Sequence, residues 1–364
     1  MIKVGIIGAG AIAQLGHIPS YQKIDGVRIV ALSDSNREKA ETVARKSNIE
    51  TYFTDYKDLL KLNEIEAVSI CTPNFFHQEQ VIASLRAGKN VLCEKPLCLN
   101  AREAEEIFKE TEKINNRVCM IAYMRRFMSI SQILKEFIDQ GELGEIYYAK
   151  ASYLRRRGIP AAGSWFTSKE MSGGGSLIDI GVHILDLSLW LMGNPTPLSA
   201  VGSTYAKFRN EAVSAGWPPA NTLKGDKFNY NFDVEDLTSS FVKFNNGATL
   251  FLETSWAGNS ETEGSLSLFG TKGGAKISFC EGGPLYGRLK IFKGRQGRLY
   301  DITPVLPLKE DAFHKEVEHF INCIKQRKNP ITTPTEALNV ARIIDAIYQS
   351  AEEGKEIKIN SLPT

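Results

Sequence analysis

The sequence carries almost no excess charge: 44 Lys and Arg stand against 42 Asp and Glu, a formal net charge of +2. That is too little for a broad electrostatic footprint on nucleic acid or an anionic membrane, so neither is an expected partner. It also lacks an uninterrupted apolar run of membrane length. The most hydrophobic stretch, Leu177 to Met192, is broken by Asp179, His183 and Asp186, each costly in hydrocarbon, and a soluble chain without a spanning helix is expected. Cysteine is scarce and unpatterned, with six residues at 71, 93, 98, 119, 280 and 323, no C-x-x-C pair and no zinc spacing. Reduced, buried thiols in a cytoplasmic protein follow from that. Val4 to Ala13 is apolar and ends in Ala11-Ile12-Ala13, which mimics a leader cleavage site. Only Lys3 precedes it, however, and Gly5, Gly8 and Gly10 interrupt it, so secretion is not expected.

What is present is a long, ordinary globular chain. Its 364 residues, at ~150 per domain, predict two domains. A content of 43% hydrophobic and 24% charged residues excludes disorder and fibrous repeats. The first third alternates strand signals (3–7, 28–32, 67–71, 90–93, 118–122) with amphipathic helical ones (38–47, 77–87), and Asn100 to Glu103 reads as a helix cap. This predicts an α/β dinucleotide-binding Rossmann domain over residues 1–123. After Tyr123 a helical segment (131–139), a strand (146–154) and a helix from Gly173 to Met192 are followed by strand-length runs joined by turns, Asn245-Asn246-Gly247 among them. Residues 124–364 are therefore expected to form an α+β domain with a large, mostly antiparallel, open-faced sheet. Thr333-Pro334-Thr335-Glu336 is a capping box with proline at the first helical position, heading a helix to about 352 that packs back toward the first domain.

Gly8-Ala9-Gly10-Ala11-Ile12-Ala13 follows the first strand and opens a helix. Gly8 suits the tight turn, Gly10 allows a pyrophosphate close to the backbone, and the helix start at Ala11 and Ile12 faces the phosphates. Asp34, at the end of the second strand, can accept from an adenosine ribose and repels a 2′-phosphate, so NAD is favoured over NADP, with Arg37 near enough to soften the preference. Thr72-Pro73-Asn74 with His77, and Glu94-Lys95-Pro96, lie after two further strands, at the carboxyl edge where open α/β sheets bind ligands. On the 173–192 helix, Asp179, His183 and Asp186 fall within about 60° of one another at 100° per residue, a polar stripe on an otherwise apolar helix that must face a cavity or a partner. A satisfied core histidine is the plain alternative. A metal site is weaker, because no further His or Cys cluster accompanies the stripe.

Taken in order, Gly8-x-Gly10-x-x-Ala13, Thr72-Pro73-x-x-x-His77, Glu94-Lys95-Pro96 and Asp179-x-x-x-His183 resemble the glucose–fructose oxidoreductase, inositol dehydrogenase and rhizopine catabolism family of NAD(P)-dependent oxidoreductases, over essentially the whole chain. The resemblance implies that Lys95, Asp179 and His183 act at the substrate carbinol, that the bond before Pro96 is cis, and that Glu94 contacts the nicotinamide-side ribose. The chemistry suits the residues independently. Oxidising a secondary alcohol requires loss of its hydroxyl proton, for which a neutral imidazole is apt, while Lys95 stabilises the developing negative charge and Asp179 orients substrate or histidine. The expected activity is dehydrogenation of a ring hydroxyl of a sugar, sugar derivative or cyclitol. Glycoside cleavage through transient oxidation, and a non-enzymatic NAD-sensing regulator, stay open beside it.

Tyr123, Arg125, Arg155, Arg157 and Trp165 are expected to border the substrate, with strand alternation sending Arg155 and Arg157 to one side and Arg156 to the other. Trp217-Pro218-Pro219 lies in an insertion from 210 to 231 that reads as a lid or an arm. Apolar residues at both parities of the second domain's strands, such as Phe241, Leu250, Leu252, Leu266 and Phe279, predict a homodimer or homotetramer that hides the uncovered sheet face.

Overall fold

The computed structural model describes residues 1–114, 116–210, 217–223, 229–279, 287–306 and 311–360. Six parallel strands form the first sheet: β1 (Ile2–Ile7), β2 (Val27–Ser33), β3 (Thr51–Phe53), β4 (Ala67–Ile70), β5 (Asn90–Glu94) and β6 (Cys119–Ala122), in the order β3-β2-β1-β4-β5-β6. Val4, Ile6, Ile7, Val68, Ile70, Val91 and Leu92 are at most 1% exposed, the continuous burial that a parallel sheet covered on both faces imposes. The strand order reverses between β1 and β4. That reversal opens a crevice at the carboxyl ends of these two strands, where Gly8 and Thr72 stand.

The second sheet has nine strands: β7 (Ile146–Leu154), β8 (Pro197–Tyr205), β9 (Leu237–Phe244), β10 (Thr249–Ser255), β11 (Glu263–Gly270), β12 (Gly273–Phe279), β13 (Gly287–Arg295), β14 (Arg298–Ile302) and β15 (Ile357–Lys358). Their order is β14-β13-β12-β11-β7-β10-β9-β8-β15. Only β7 and β10 pair in parallel; every other neighbour is antiparallel. The β9–β10 turn closes at Gly247, whose φ of +84° suits glycine. Leu250, Leu252, Leu266, Leu268, Ile277 and Leu289 are buried on the face that the helices cover. Phe241 stands at the opposite parity, paired across the strands with Phe251 on one side and Val201 on the other.

Two elements depart from the sequence expectation. The helix predicted from Gly173 begins later. A short helix, Lys169–Ser172, ends at Gly173 with φ +85°, and a π-helical turn, Leu177–Gly181, then leads into the α-helix Val182–Leu191. The three glycines are spent on close approach instead: a Cβ on Gly174 would lie 2.1 Å from the Tyr348 hydroxyl, and one on Gly175 1.8 Å from the Glu235 carbonyl oxygen. Residues Lys169–Leu191 are long and apolar enough to cross a membrane by composition, but 89% of the apolar window is buried within the fold. The helix Ala312–Gln326 was not legible, and it packs against the first domain beside the helical turns that follow Gly10.

The capped helix runs Pro334–Glu353 with both hydrogen bonds of the capping box formed. It lies on β8 and also on the first-domain helix Ala101–Lys113. Asp345 Oδ2 accepts from the Ala101 backbone N–H at 2.8 Å. Ala104 and Ile107 of the one helix and Leu338, Ile344 and Ile347 of the other join a single apolar core. Beside it, Arg126 is 0% exposed and forks onto both oxygens of Asp186 at 2.6 and 2.9 Å, while its other amino group reaches Glu336 and the Ile331 carbonyl.

Candidate active site

A cleft of about 1520 Å³ runs from the glycine turn of the first domain to the helices and strand ends of the second. At one end Gly8 has φ +95°, and a Cβ there would lie 2.7 Å from the Cys71 carbonyl oxygen, so the turn admits glycine alone. Gly10 differs. A Cβ on it would meet nothing closer than the same oxygen at 3.8 Å, so this glycine leaves open space above the start of the helix rather than satisfying the fold. A helix start with room over its free N–H groups suits a diphosphate. That helix is α-helical at Ala11 and Ile12, π-helical over Ala13–His17 and α-helical again over Ile18–Gln22. Asp34 Oδ2 accepts from Ala9 N and Oδ1 from Asn36 N, both at 2.9 Å, which ties the glycine turn to the end of β2. Gly8, Gly10, Ala11, Ile12, Asp34, Thr72, Pro73, Asn74, Glu94 and Lys95 all line the cleft. These groups fit a dinucleotide: a glycine turn, a helix start and an acid at the ribose position.

Deeper in, the Lys95–Pro96 bond is cis, and the Lys95 ammonium donates to the Asp179 carbonyl oxygen at 2.8 Å and to Asp179 Oδ1 at 3.1 Å. The other carboxylate oxygen of Asp179 accepts from Trp256 Nε1 at 2.9 Å. Trp256 is fully buried and lies 77 residues away in sequence, so nothing near Asp179 announces it. His183 stands one turn further along the same helix and lines the cleft, its Nδ1 buried with no hydrogen-bond partner. Burial holds its imidazole well below the ordinary value of 6.5, and the cations Lys95, Arg125 and Arg155 add to the effect. His183 is therefore a neutral base at neutral pH.

Arg125 and Arg155 reach the cleft from two directions and share one neighbour, Tyr153, with guanidinium carbons 4.8 and 5.3 Å from its ring centroid. Arg125 also lies 4.3 Å over the ring of Phe279. Burial pulls the Tyr153 phenol up, but the two arginines outweigh it and leave it below its ordinary value of 10. Tyr153 is a cleft residue that the sequence reading missed. Arg157 lines the cleft while Arg156 is exposed. Trp165, stacked on Phe166 at 3.8 Å, lines it as well, together with Trp217, Pro218, Leu223 and Tyr230. The rest of the predicted insertion, 211–216 and 224–228, lies outside the described residues.

Several candidates do not reach the wall of the cleft. His77 is 0% exposed, and its ring nitrogens approach the Pro96 and Thr72 carbonyl oxygens at 2.7 and 2.9 Å, so it braces one loop against the other. Pro96 is buried above it, and Tyr123 is buried beneath the ring of contacts around Arg126. Asp186 leaves the polar stripe altogether to pair with Arg126. Counting 100° per residue through Asp179 assumed a regular α-helix, and the π-helical turn at Leu177–Gly181 is wider than that.

Beneath the cleft the sequence reading also missed His17, which is 0% exposed. Its Nε2 lies 2.9 Å from Glu94 Oε1 and its Nδ1 3.1 Å from Ser69 Oγ. Burial opposes protonation of His17, yet Cys71 and Glu94 outweigh it and hold the imidazole well above 6.5. A charged imidazole there pins the Glu94 carboxylate from below. Among the described residues no group of three or more His, Cys, Asp or Glu is arranged to hold a metal ion.

Comparison with known proteins shows the family of the chain. Residues 2–123 match the model of an oxidoreductase family with an NAD-binding Rossmann fold, and residues 135–359 match the C-terminal alpha/beta domain of the same family. The chain is 31% identical to a D-glucoside 3-dehydrogenase of Escherichia coli, over 98% of this chain and 97% of that protein. It is 25% identical to a scyllo-inositol 2-dehydrogenase (NAD+) of Bacillus subtilis, over 99% and 96% of the two chains. A solved structure of levoglucosan dehydrogenase in complex with NADH and L-sorbose superposes with a TM-score of 0.84 over 99% of both chains, at 22% identity.

Proposed function

Since the chain belongs to the glucose–fructose oxidoreductase, inositol dehydrogenase and rhizopine catabolism family of NAD-binding oxidoreductases, we propose that it dehydrogenates a ring hydroxyl of a sugar, sugar glycoside or cyclitol. Gly8, Gly10 and the helix start would hold the diphosphate of NAD and Asp34 its adenosine ribose, and bound NAD would supply the hydride acceptor. The observation that carries this reading is the placement of Lys95, Asp179 and His183 on one wall of the cleft that begins at Gly8 and Gly10.

The residues divide the work by their chemistry. His183, kept neutral, takes the proton of the reacting hydroxyl, which it can do because its own proton affinity is low enough to leave it free at pH 7. Lys95 presents its remaining N–H donor to the same oxygen and stabilises the negative charge that grows there. Asp179 fixes the ammonium through two of its acceptors and is itself fixed by the Trp256 indole. Glu94 and the Thr72–Asn74 loop bound the nicotinamide side, and the Trp165–Phe166 stack offers an aromatic face to the apolar side of a sugar ring. The test is net NADH formed per mole of product across methyl glucosides, inositols and anhydrosugars. Failure to reduce NAD with any polyol, beside turnover of a non-carbohydrate alcohol, overturns the substrate class.

Two further parts of the reading concern the whole molecule. The open face of the second sheet carries Val201, Phe241, Phe251, Phe269 and Phe292, of which Val201, Phe269 and Phe292 are 42, 42 and 39% exposed. Such a face supports pairing with a second copy about a two-fold axis. Five of the six cysteines are free and buried, which supports a reducing, cytoplasmic setting.

A further inference from the structure

Among the described residues, the substrate end of the cleft holds more positive charge than it answers. Lys95 is paired with Asp179. Neither Arg125 nor Arg155 has a carboxylate partner among the described residues, although other arginines here do: Arg126 binds Asp186 and Glu336, and Arg86 binds Glu110. Both cleft arginines are half-buried, and burial pulls the Arg125 guanidinium below its ordinary value. A half-buried guanidinium that no carboxylate answers among the described residues is costly, and the cost is relieved when a ligand brings an anion.

The geometry leaves the right atoms free for that anion. Arg125 lies over the Tyr153 and Phe279 rings at 4.8 and 4.3 Å and shares a hydrogen bond with the Tyr153 hydroxyl, and among the described residues no carboxylate answers its remaining N–H donors. Arg155 gives one donor to the Gly158 carbonyl at 3.3 Å, lies over the Tyr153 ring and hydrogen-bonds with its hydroxyl. A guanidinium presents its donors in one plane, the arrangement that matches the two oxygens of a carboxylate or an edge of a phosphate. A dinucleotide would not supply this anion, because the groups that suit its diphosphate, Gly10 and the helix start, lie at the opposite end of the cleft. The arginines and the reacting centre share one neighbourhood, since both guanidinium groups act on His183.

Resting on the dehydrogenase reading above, we propose that Arg125 and Arg155, with Tyr153 between them, form an oxyanion subsite, and that the substrate is an acidic sugar bearing a carboxylate or a phosphate. The anion binds edge-on to the two guanidinium groups, and this sets the ring hydroxyl that faces His183.

Three probes test this on the NADH-bound protein and in turnover with NAD: methyl β-D-glucopyranosiduronate, D-glucose 6-phosphate and methyl β-D-glucopyranoside. At least one of the two anionic sugars should bind to the NADH complex ~10-fold or more tightly than the neutral glucoside, the size expected of a charge-assisted contact. Which of them does so distinguishes carboxylate from phosphate. In Arg125→Gln and Arg155→Gln that preference should collapse toward unity, with thermal unfolding used to show that each variant is folded. Equal or weaker binding of both anions than of the neutral glucoside overturns the proposal, as does a preference that survives both substitutions. Binding and turnover separate the two readings: tight anion binding that Arg125→Gln and Arg155→Gln abolish keeps the subsite even if no polyol reduces NAD, the result that counts against the dehydrogenase, whereas reduction by the neutral glucoside alone keeps the dehydrogenase and overturns the subsite.

Discussion

The Lys95 ammonium lies 2.8 Å from the Asp179 carbonyl oxygen and 3.1 Å from its Oδ1, so a cation carried at the end of β5 is held by a helix of the other domain. Loss of the cation should remove charge stabilisation at the reacting oxygen. Lys95→Ala is expected to lower kcat by ~10²-fold or more. Asp179→Asn, which keeps the carbonyl acceptor but weakens the grip on Lys95, should lower it by about tenfold, within the range for losing one charge-assisted hydrogen bond. Steady-state rates with the best polyol check both, and unchanged kcat in Lys95→Ala removes the assignment.

His183 carries a pH signature. Burial first, then Lys95, Arg125 and Arg155, hold it well below 6.5, so the acid limb of kcat/KM should lie below pH 6.5. Replacing Arg125 with glutamine should move that limb upward. In stability the sign is that of a base whose folded value is depressed. The contribution from keeping His183 neutral is present above the unfolded value of ~6.5 and is lost as pH falls below it. His183→Ala should abolish the limb and cost ~10²-fold in kcat. An acid limb centred at or above 6.5 contradicts the role.

Gly8 and Gly10 should separate under substitution. Gly8→Ala places a Cβ 2.7 Å from the Cys71 carbonyl at φ +95° and is expected to destabilise the fold by ~1–3 kcal/mol. Gly10→Ala, with nothing nearer than 3.8 Å, should leave Tm within a degree or two and weaken NADH binding instead. Thermal unfolding and NADH fluorescence titration read the two effects. A large drop in Tm for Gly10→Ala is the contrary result.

Arg126 is a structural cation. Its removal strands the fully buried Asp186, and a broken buried pair typically costs ~3–5 kcal/mol. Arg126→Gln should lose that much in urea unfolding. Arg126→Lys should recover little, since an ammonium cannot fork onto both oxygens of Asp186 and still reach Glu336.

Pairing through the open face of the nine-stranded sheet predicts a species larger than 40.4 kDa in light scattering at micromolar concentration. Phe241→Asp together with Phe251→Asp should shift it toward the monomer, because carboxylates at that buried seam are desolvated without partners. A wild-type monomer refutes the assembly.

Much of this was readable before any coordinates. The glycine turn, Asp34, the Glu94-Lys95-Pro96 step and the Thr333 capping box are local patterns, each recognisable from a few consecutive residues even where its partner is distant, as Asp179 is from Lys95. What escaped is non-local. Trp256 holds Asp179 from 77 residues away, and Tyr153 gains its meaning only when Arg125 is brought over it. His17 gains its role only where the fold sets Glu94 beside it. Asp186 was misplaced for a different reason. Its phase was counted on a regular helix, and the turn at Leu177–Gly181 is not one. In the second sheet the apolar residues singled out fell mostly on the covered face, and the aromatic row on the open face is clear only from strand register.

The helix Pro334–Glu353, seated on both β8 and the first-domain helix Ala101–Lys113, sets the terms for building chimeras of this protein. A graft that exchanges only residues 1–123 gives the incoming coenzyme domain a foreign lid over Ala104 and Ile107, and a first domain expressed alone exposes that strip to water. Whichever domain the last helix travels with, its other seat, β8 or the Ala101–Lys113 helix, meets a foreign surface, so a working chimera has to match both.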